Sequence, residues 1–326
     1  MAHALANAIA VATIRRRSAA RFLTPLGSAF RPTGCSGAVA GLWLGCSDSG
    51  GWAPWLDETR SVHFAAMGES EFLAMRGAGF VFALALAVAL EHWVPYAAMR
   101  SSLRVNLTLW ASNALLVGLV CGVCACTVAL WGEAHGFGLL RHLEVAPGPA
   151  IALSVLALDG VSYGWHRANH AVPLLWRFHQ VHHSDATFTA TTALRFHPGE
   201  VLLSLPLRLA VVALVGVPVA AIALFELVFA IANFVEHANI RLPAGFERGM
   251  ARVFVTPALH RLHHSREQKL LDSNYGTIFS FWDRLFGTFG ASSSERRVRI
   301  GLPGAAPTLG PAAVLTLPVR EVLRGE

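Results

Sequence analysis

Between His166 and His264 the chain concentrates ten of its fifteen histidines: His166, His170, His179, His182, His183, His197, His237, His260, His263 and His264. Imidazole is the commonest metal ligand among side chains and suits iron, zinc and copper. Spacing says more than number. Positions i, i+3 and i+4 share one face of a helix. His166 and His170 stand four apart, His179, His182 and His183 follow the i, i+3, i+4 pattern, and His260, His263 and His264 repeat it. Three short helical segments would each present a compact patch of imidazoles. Eight such nitrogens exceed the needs of one metal ion and suit two.

Competing chemistries are weaker. Structural zinc usually recruits cysteine, and none lies between His166 and His264. The His-Glu-x-x-His signature of a metalloprotease is absent. Gly160-Val161-Ser162-Tyr163-Gly164 fits the G-x-S-x-G pattern, but that nucleophile elbow needs a strand before it. Here the pattern ends an apolar, helical stretch and reads as a chance match. His3, His63, His92, His135 and His142, taken singly, read as ordinary core or surface residues.

The elements that must position these histidines are hydrophobic. The 326 residues are 54% hydrophobic and 14% charged, with a mean hydropathy of +0.49. A soluble domain carries roughly 25% charge. The expected fold is all-α: an integral membrane helical bundle of about four spans, one pair forming a hairpin, with a cytoplasmic histidine-rich cap. The net charge of +6 comes from scattered arginines, with Lys269 the only lysine. That pattern suits the positive-inside rule, and no nucleic-acid-binding signature accompanies it. Five cysteines, Cys35, Cys46, Cys121, Cys124 and Cys126, suggest no disulfide framework.

The expected spans are residues 80–99, 105–131 (the clearest) and 150–165, which runs into His166, followed by a hairpin over 201–235 broken near Gly216-Val217-Pro218. Arg100 and Arg104 place the first join inside. Counting spans from there brings every histidine cluster to the same, cytoplasmic side. Arg208 and Glu226 interrupt the hairpin nine positions either side of Val217, so they are expected at one depth, facing each other or a shared polar cavity. Residues 1–66 lack periodicity and read as a poorly ordered extension, with Met67 as an alternative start. The remainder divides into a domain at 79–300 and a tail at 301–326.

The order and flanks of the histidine groups carry a resemblance. Asp159, Tyr163 and Trp165-His166-Arg167 precede or open the first group. Leu175-Trp176-Arg177-Phe178-His179 and Val181-His182-His183-Ser184 form the second. Thr256-Pro257, His260-Arg261-Leu262-His263-His264-Ser265, Asn274-Tyr275-Gly276 and Trp282-Asp283-Arg284-Leu285-Phe286-Gly287-Thr288 complete it. Over about residues 80–300 the chain resembles the fatty acid hydroxylase superfamily of sterol desaturases, sterol methyl oxidases and alkylglycerol monooxygenases. The resemblance implies two iron ions held by the eight grouped histidines, O2 as co-substrate and attack on a C–H bond of a lipid. It adds His197 and His237 as further ligands. Arg241 stands where some members have another histidine. Asp159, Asp272 and Asn274 become candidates for holding ligand rings through hydrogen bonds. With no G-x-G-x-x-G fingerprint, electrons would come from a separate reductase or electron carrier. A sterol or carotenoid desaturase or hydroxylase is the alternative within this chemistry. A non-catalytic metal-binding or metal-transporting membrane protein is the alternative outside it, although transport would place ligands inside the spans.

Overall fold

The computed structural model describes residues 69–98, 102–120, 124–290, 298–303 and 309–320. The expected extension 1–66 lies outside the described residues. Every regular element among those described is helical, and the only β pairing consists of isolated bridges. The histidine segments are short and kept apart by apolar helices, so the bundle has to fold before they can meet.

Helix α1, Glu69–Trp93, begins ten residues ahead of the expected domain start. It packs along the second hairpin arm through Ala83 and Ala87, both fully buried and four residues apart, so two helix backbones can approach closely. Its one late acid is satisfied: the Glu91 carboxylate accepts from the Ala190 and Asn239 amides at 2.7 and 2.8 Å.

Residues 121–123, within the expected span 105–131, lie outside the described residues. On either side of them are α2, Leu103–Val120, and α3, Cys124–Ala134. A short α4, Leu139–His142, leads to α5, Pro147–Ala171. The α3–α4 segment and α5 meet at a bend of 85°. Ser162 lies within α5 and donates to the Leu158 carbonyl, as an ordinary helical serine does, so no elbow is present.

Proline sets the next boundary. Val172, held extended by Pro173, ends α5, and Pro173 opens α6, Pro173–His183. A 3-10 turn, Ala190–Leu194, follows. The hairpin is α7, Pro198–Val215, and α8, Val219–His237. Gly216 turns between them in the left-handed region (φ 75°), against Gly138 (φ 118°); a Cβ on Gly138 would lie 2.2 Å from the Gly216 Cα. Only glycine fits both positions.

Beyond α8 come α9, Ala244–Met250; α10, Pro257–His263, capped by Thr256; α11, Gln268–Leu271; and α12, Phe281–Leu285. Residues 311–320, expected as tail, form α13, Pro311–Arg320, whose Val314 and Leu317 are buried with Val105, Leu109 and Val181. The period of buried residues makes α13 part of the bundle. Among the described residues three helices are long and apolar enough to cross a membrane, or four if the bent α3–α5 pair is one span.

Candidate metal centre

The last two turns of α5, the C-terminal half of α6, the end of α8 and the whole of α10 converge. They gather nine histidines into two adjoining sets. One holds His166, His170, His179, His183 and His263; the other holds His182, His237, His260 and His264. Within each set one ring nitrogen per residue lies within 4.8 Å of all the others.

Each His-x-x-His-His group serves both sets. On α6, His179 and His183 (i, i+4) turn to the first set and His182 to the second. At α10 the assignment reverses: His260 and His264 enter the second set and His263 the first. The 3.6-residue period separates i+3 from i+4 by one full step of the helical wheel, enough to aim neighbours at different centres. Each of these two patches is thus shared between the two sets.

Nε2 is the atom aimed inward. The His170, His183 and His179 Nε2 atoms are 3.1 and 3.2 Å apart in sequence around the first set. In the second, His182, His237, His260 and His264 follow at 3.1, 2.9 and 3.2 Å. Several Nδ1–H groups point outward. His166 donates to the Tyr275 carbonyl at 2.8 Å, His263 to the Ser273 carbonyl at 2.7 Å and His237 to the Asn233 carbonyl at 2.7 Å. A ring that spends its proton on a carbonyl turns a bare lone pair inward. The Nε2 atoms of His166 and His263 are buried with no hydrogen-bond partner. Buried lone pairs facing one another are costly unless a cation lies between them. The donor set thus fits two imidazole-bound metal ions, and nitrogen ligands suit iron.

Electrostatics agrees. Burial, then neighbouring rings, push His182, His183, His260 and His264 well below the usual imidazole range, and burial takes His263 down to about 3. At neutral pH these rings are uncharged, the form in which imidazole binds metal.

Carboxylates complete the surroundings, two of them unexpected. Glu200 accepts from His179 Nδ1 at 3.0 Å and from Asn169 at 2.9 Å. Glu236 lies 3.8 Å from Nδ1 of both His237 and His260. Sequence reasoning missed both, because packing and not spacing brings them to the rings. Asp272 does stand near a ligand ring, 3.4 Å from His170 Nδ1. Asp159 does not; it takes the Ile278 and Phe279 amides and the Trp282 indole N–H, anchoring the loop beneath the site. Asn274 donates to the Leu259 carbonyl and accepts from the Gly290 amide, so it too braces loop backbone. Asp283 accepts from the Tyr275 and Gly276 amides, fixing the loop whose Tyr275 carbonyl meets His166.

His197 is absent from both sets. It caps α7, its Nδ1 accepting from the Gly199 amide at 2.9 Å, while Nε2 donates to the Leu315 carbonyl at 3.1 Å. Both nitrogens are occupied by local bonds, so the expectation of a ligand here is corrected. His237, the other added residue, is fully inside the second set.

Below the histidines lies a cavity of about 360 Å³. His166, His179, His182, His237 and His260 line one part; Phe80, Trp110, Phe225 and Phe229 line others. Such a volume is typical of a small-molecule site with apolar walls.

Residues 151–288 match the family model for fatty acid hydroxylase. Over that part, less than half of its length, the chain is similar to the fatty acid hydroxylase family. Among curated relatives, ornithine lipid hydroxylase OlsE of Rhizobium tropici is 30% identical over 154 residues, 47% of this chain and 46% of that protein. Human alkylglycerol monooxygenase is 31% identical over 160 residues, 49% of this chain and 34% of that one. A cholesterol 25-hydroxylase-like protein of Danio rerio is 33% identical over 157 residues, covering 46% and 61%. The chain thus spans from about a third to under two thirds of these relatives' lengths. No solved structure matches it. The apolar helices and the similarity to these enzymes support an integral membrane protein.

Proposed function

We propose that the protein is an O2-dependent, non-haem di-iron oxygenase that hydroxylates a C–H bond of a lipid. The observation that carries this is the meeting of the two histidine sets with the apolar cavity: five of the nine rings form part of its wall. A non-catalytic metal store has no use for such a cavity, and a closed zinc site would fill its coordination sphere. Iron, when bound, would supply the activation of O2 and the oxidising power.

The chain's own residues do the rest. The nine rings present their nitrogens to the two sets, and the Tyr275, Ser273 and Asn233 carbonyls hold three of them in one tautomer. Glu200 fixes the His179 ring and adds negative charge behind it, which strengthens Nε2 as a ligand. Phe80, Trp110, Phe225 and Phe229 exclude water from the path of an alkyl chain. The substrate reaches the site from the bilayer, and electrons come from a separate reductase or electron carrier. The arginine distribution supports a cytoplasmic site, where such a carrier would dock.

Expression with a lipid extract under ¹⁸O2 tests the reading. A wild-type-specific lipid gaining one ¹⁸O atom is expected. A desaturated lipid without label would move the outcome to desaturation, and an unchanged lipid profile with metal-replete protein would refute oxygenase activity.

A further inference from the structure

Two charged side chains in the hairpin have no part in the metal centre. Arg208 on α7 and Glu226 on α8 both line the cavity whose other end the histidines form. They share a cavity, as their equal depth requires, but are not each other's closest partner. Glu226 Oε2 is 3.0 Å from Arg76 Nε of α1. Arg208 forms no hydrogen bond or ion pair among the described residues; its guanidinium carbon stands 5.8 Å from the centre of the Phe229 ring. Arg76, Glu226 and Arg208 together carry +1, while the other carboxylates lining the cavity, Glu200 and Glu236, lie beside the histidines at its far end. Arg208 is exposed on the outside of the bundle at a depth where the apolar core of a membrane would surround it, and an unpaired cation there is costly unless something pairs with it.

We propose that the cavity recognises its lipid by a single anionic group, carboxylate or phosphodiester, that pairs with Arg208. The apolar chain then runs past Phe225 and Phe229 towards the histidines. This deepens the oxygenase reading, on which it depends only for what happens at the far end of the chain. Depth follows from helix geometry. Arg208 lies eight residues beyond Glu200, whose carboxylate meets His179, roughly 12 Å along α7. Glu226 precedes His237 by eleven residues, roughly 16 Å along α8. The carbon presented to the metals is therefore well down the chain from the anion, not beside it. A neutral sterol would leave Arg208 unpaired, so the substrate class is an anionic, chain-bearing amphiphile.

Binding to metal-free protein in neutral detergent at pH 8 tests this without turnover. The fluorescent cis-parinaric acid and its methyl ester serve as probes. Wild type is expected to bind the acid about tenfold or more tightly than the ester, the gain of one charge-assisted contact. Arg208→Gln should abolish that preference and Arg208→Lys should keep part of it. Displacement by oleate or by oleoyl lysophosphatidylglycerol then tells carboxylate from phosphodiester. Equal affinity for acid and ester in wild type, an acid preference surviving in Arg208→Gln, or no displacement by either competitor would overturn the proposal. Loss of turnover with the acid preference intact would fall on the oxygenase reading instead. Product hydroxylated next to the carboxyl group would contradict the depth argument.

Discussion

His182 and His183 are consecutive in the chain yet belong to different histidine sets, their ring planes crossing at 88° with centroids 5.4 Å apart. One helical step of about 100° does this. His182 then faces His237 and His264, with centroids at 4.9 and 4.7 Å, and His183 faces His170 and His263, both at 4.8 Å.

Alanine at either position should therefore remove a different metal. His182→Ala should weaken the second set and His183→Ala the first, each retaining about one metal per chain while turnover drops more than about a hundredfold. Metal analysis of the purified variants checks this. Loss of both metals, or of neither, would contradict the division.

Glu200→Gln should keep the bundle intact, because glutamine still fills the space beside His179 and Asn169. It removes the charge behind His179 Nδ1, and metal affinity should fall about 10- to 100-fold. A chelator titration against wild type measures it; unchanged affinity would show that Glu200 only fills space.

Two buried opposite charges, joined through Asn106, hold the end of α6. Arg195, 2% exposed, donates to the Val181 carbonyl, Ser184 and Asn106, while Asp185, 1% exposed, accepts from Ser102, Thr187, Thr192 and Asn106. Arg195→Met leaves Asp185 buried without its cation and should cost about 3–5 kcal/mol of stability, with metal lost as His182 and His183 shift. Thermal unfolding in detergent would show it, and a shift under about 2 °C would contradict it.

Metal-free protein should be acid-labile. His182, His183, His260, His263 and His264 accept protons in the fold only well below 6.5, whereas unfolded histidine accepts them near 6.5. Unfolding therefore takes up protons as the pH falls through 6.5. Stability is full above that value and declines below it, by up to about 1.4 kcal/mol per pH unit for each ring. Unfolding midpoints measured from pH 7.5 to 5 should drop steeply. A flat profile would mean that the rings are protonated in the fold.

The site was legible because its histidines obey helical spacing, and spacing survives without coordinates. The His166–His170 pair and both His-x-x-His-His groups could be read directly. Their division between two centres could not, since it depends on the rotation of α6 and α10 within the bundle. His197 misled because a histidine just before Pro198 can also cap a helix, and a string of residue types cannot distinguish the two roles. Asp159 was a real anchor of a buried loop, but not of a ligand ring. Glu200 and Glu236 became visible only when tertiary packing brought α7 and α8 to the histidines. The hairpin followed from Gly216-Val217-Pro218. Equal depth placed Arg208 and Glu226 in one cavity, and the position of α1 decided that Arg76 takes the glutamate.

The central claim is that two iron ions occupy adjoining sites in the two histidine sets. Anomalous diffraction at the iron edge, from crystals of the iron-loaded protein, tests it most directly. Two iron peaks are expected, one among His166, His170, His179, His183 and His263, the other among His182, His237, His260 and His264. A single peak, or iron bound away from these rings, would contradict it.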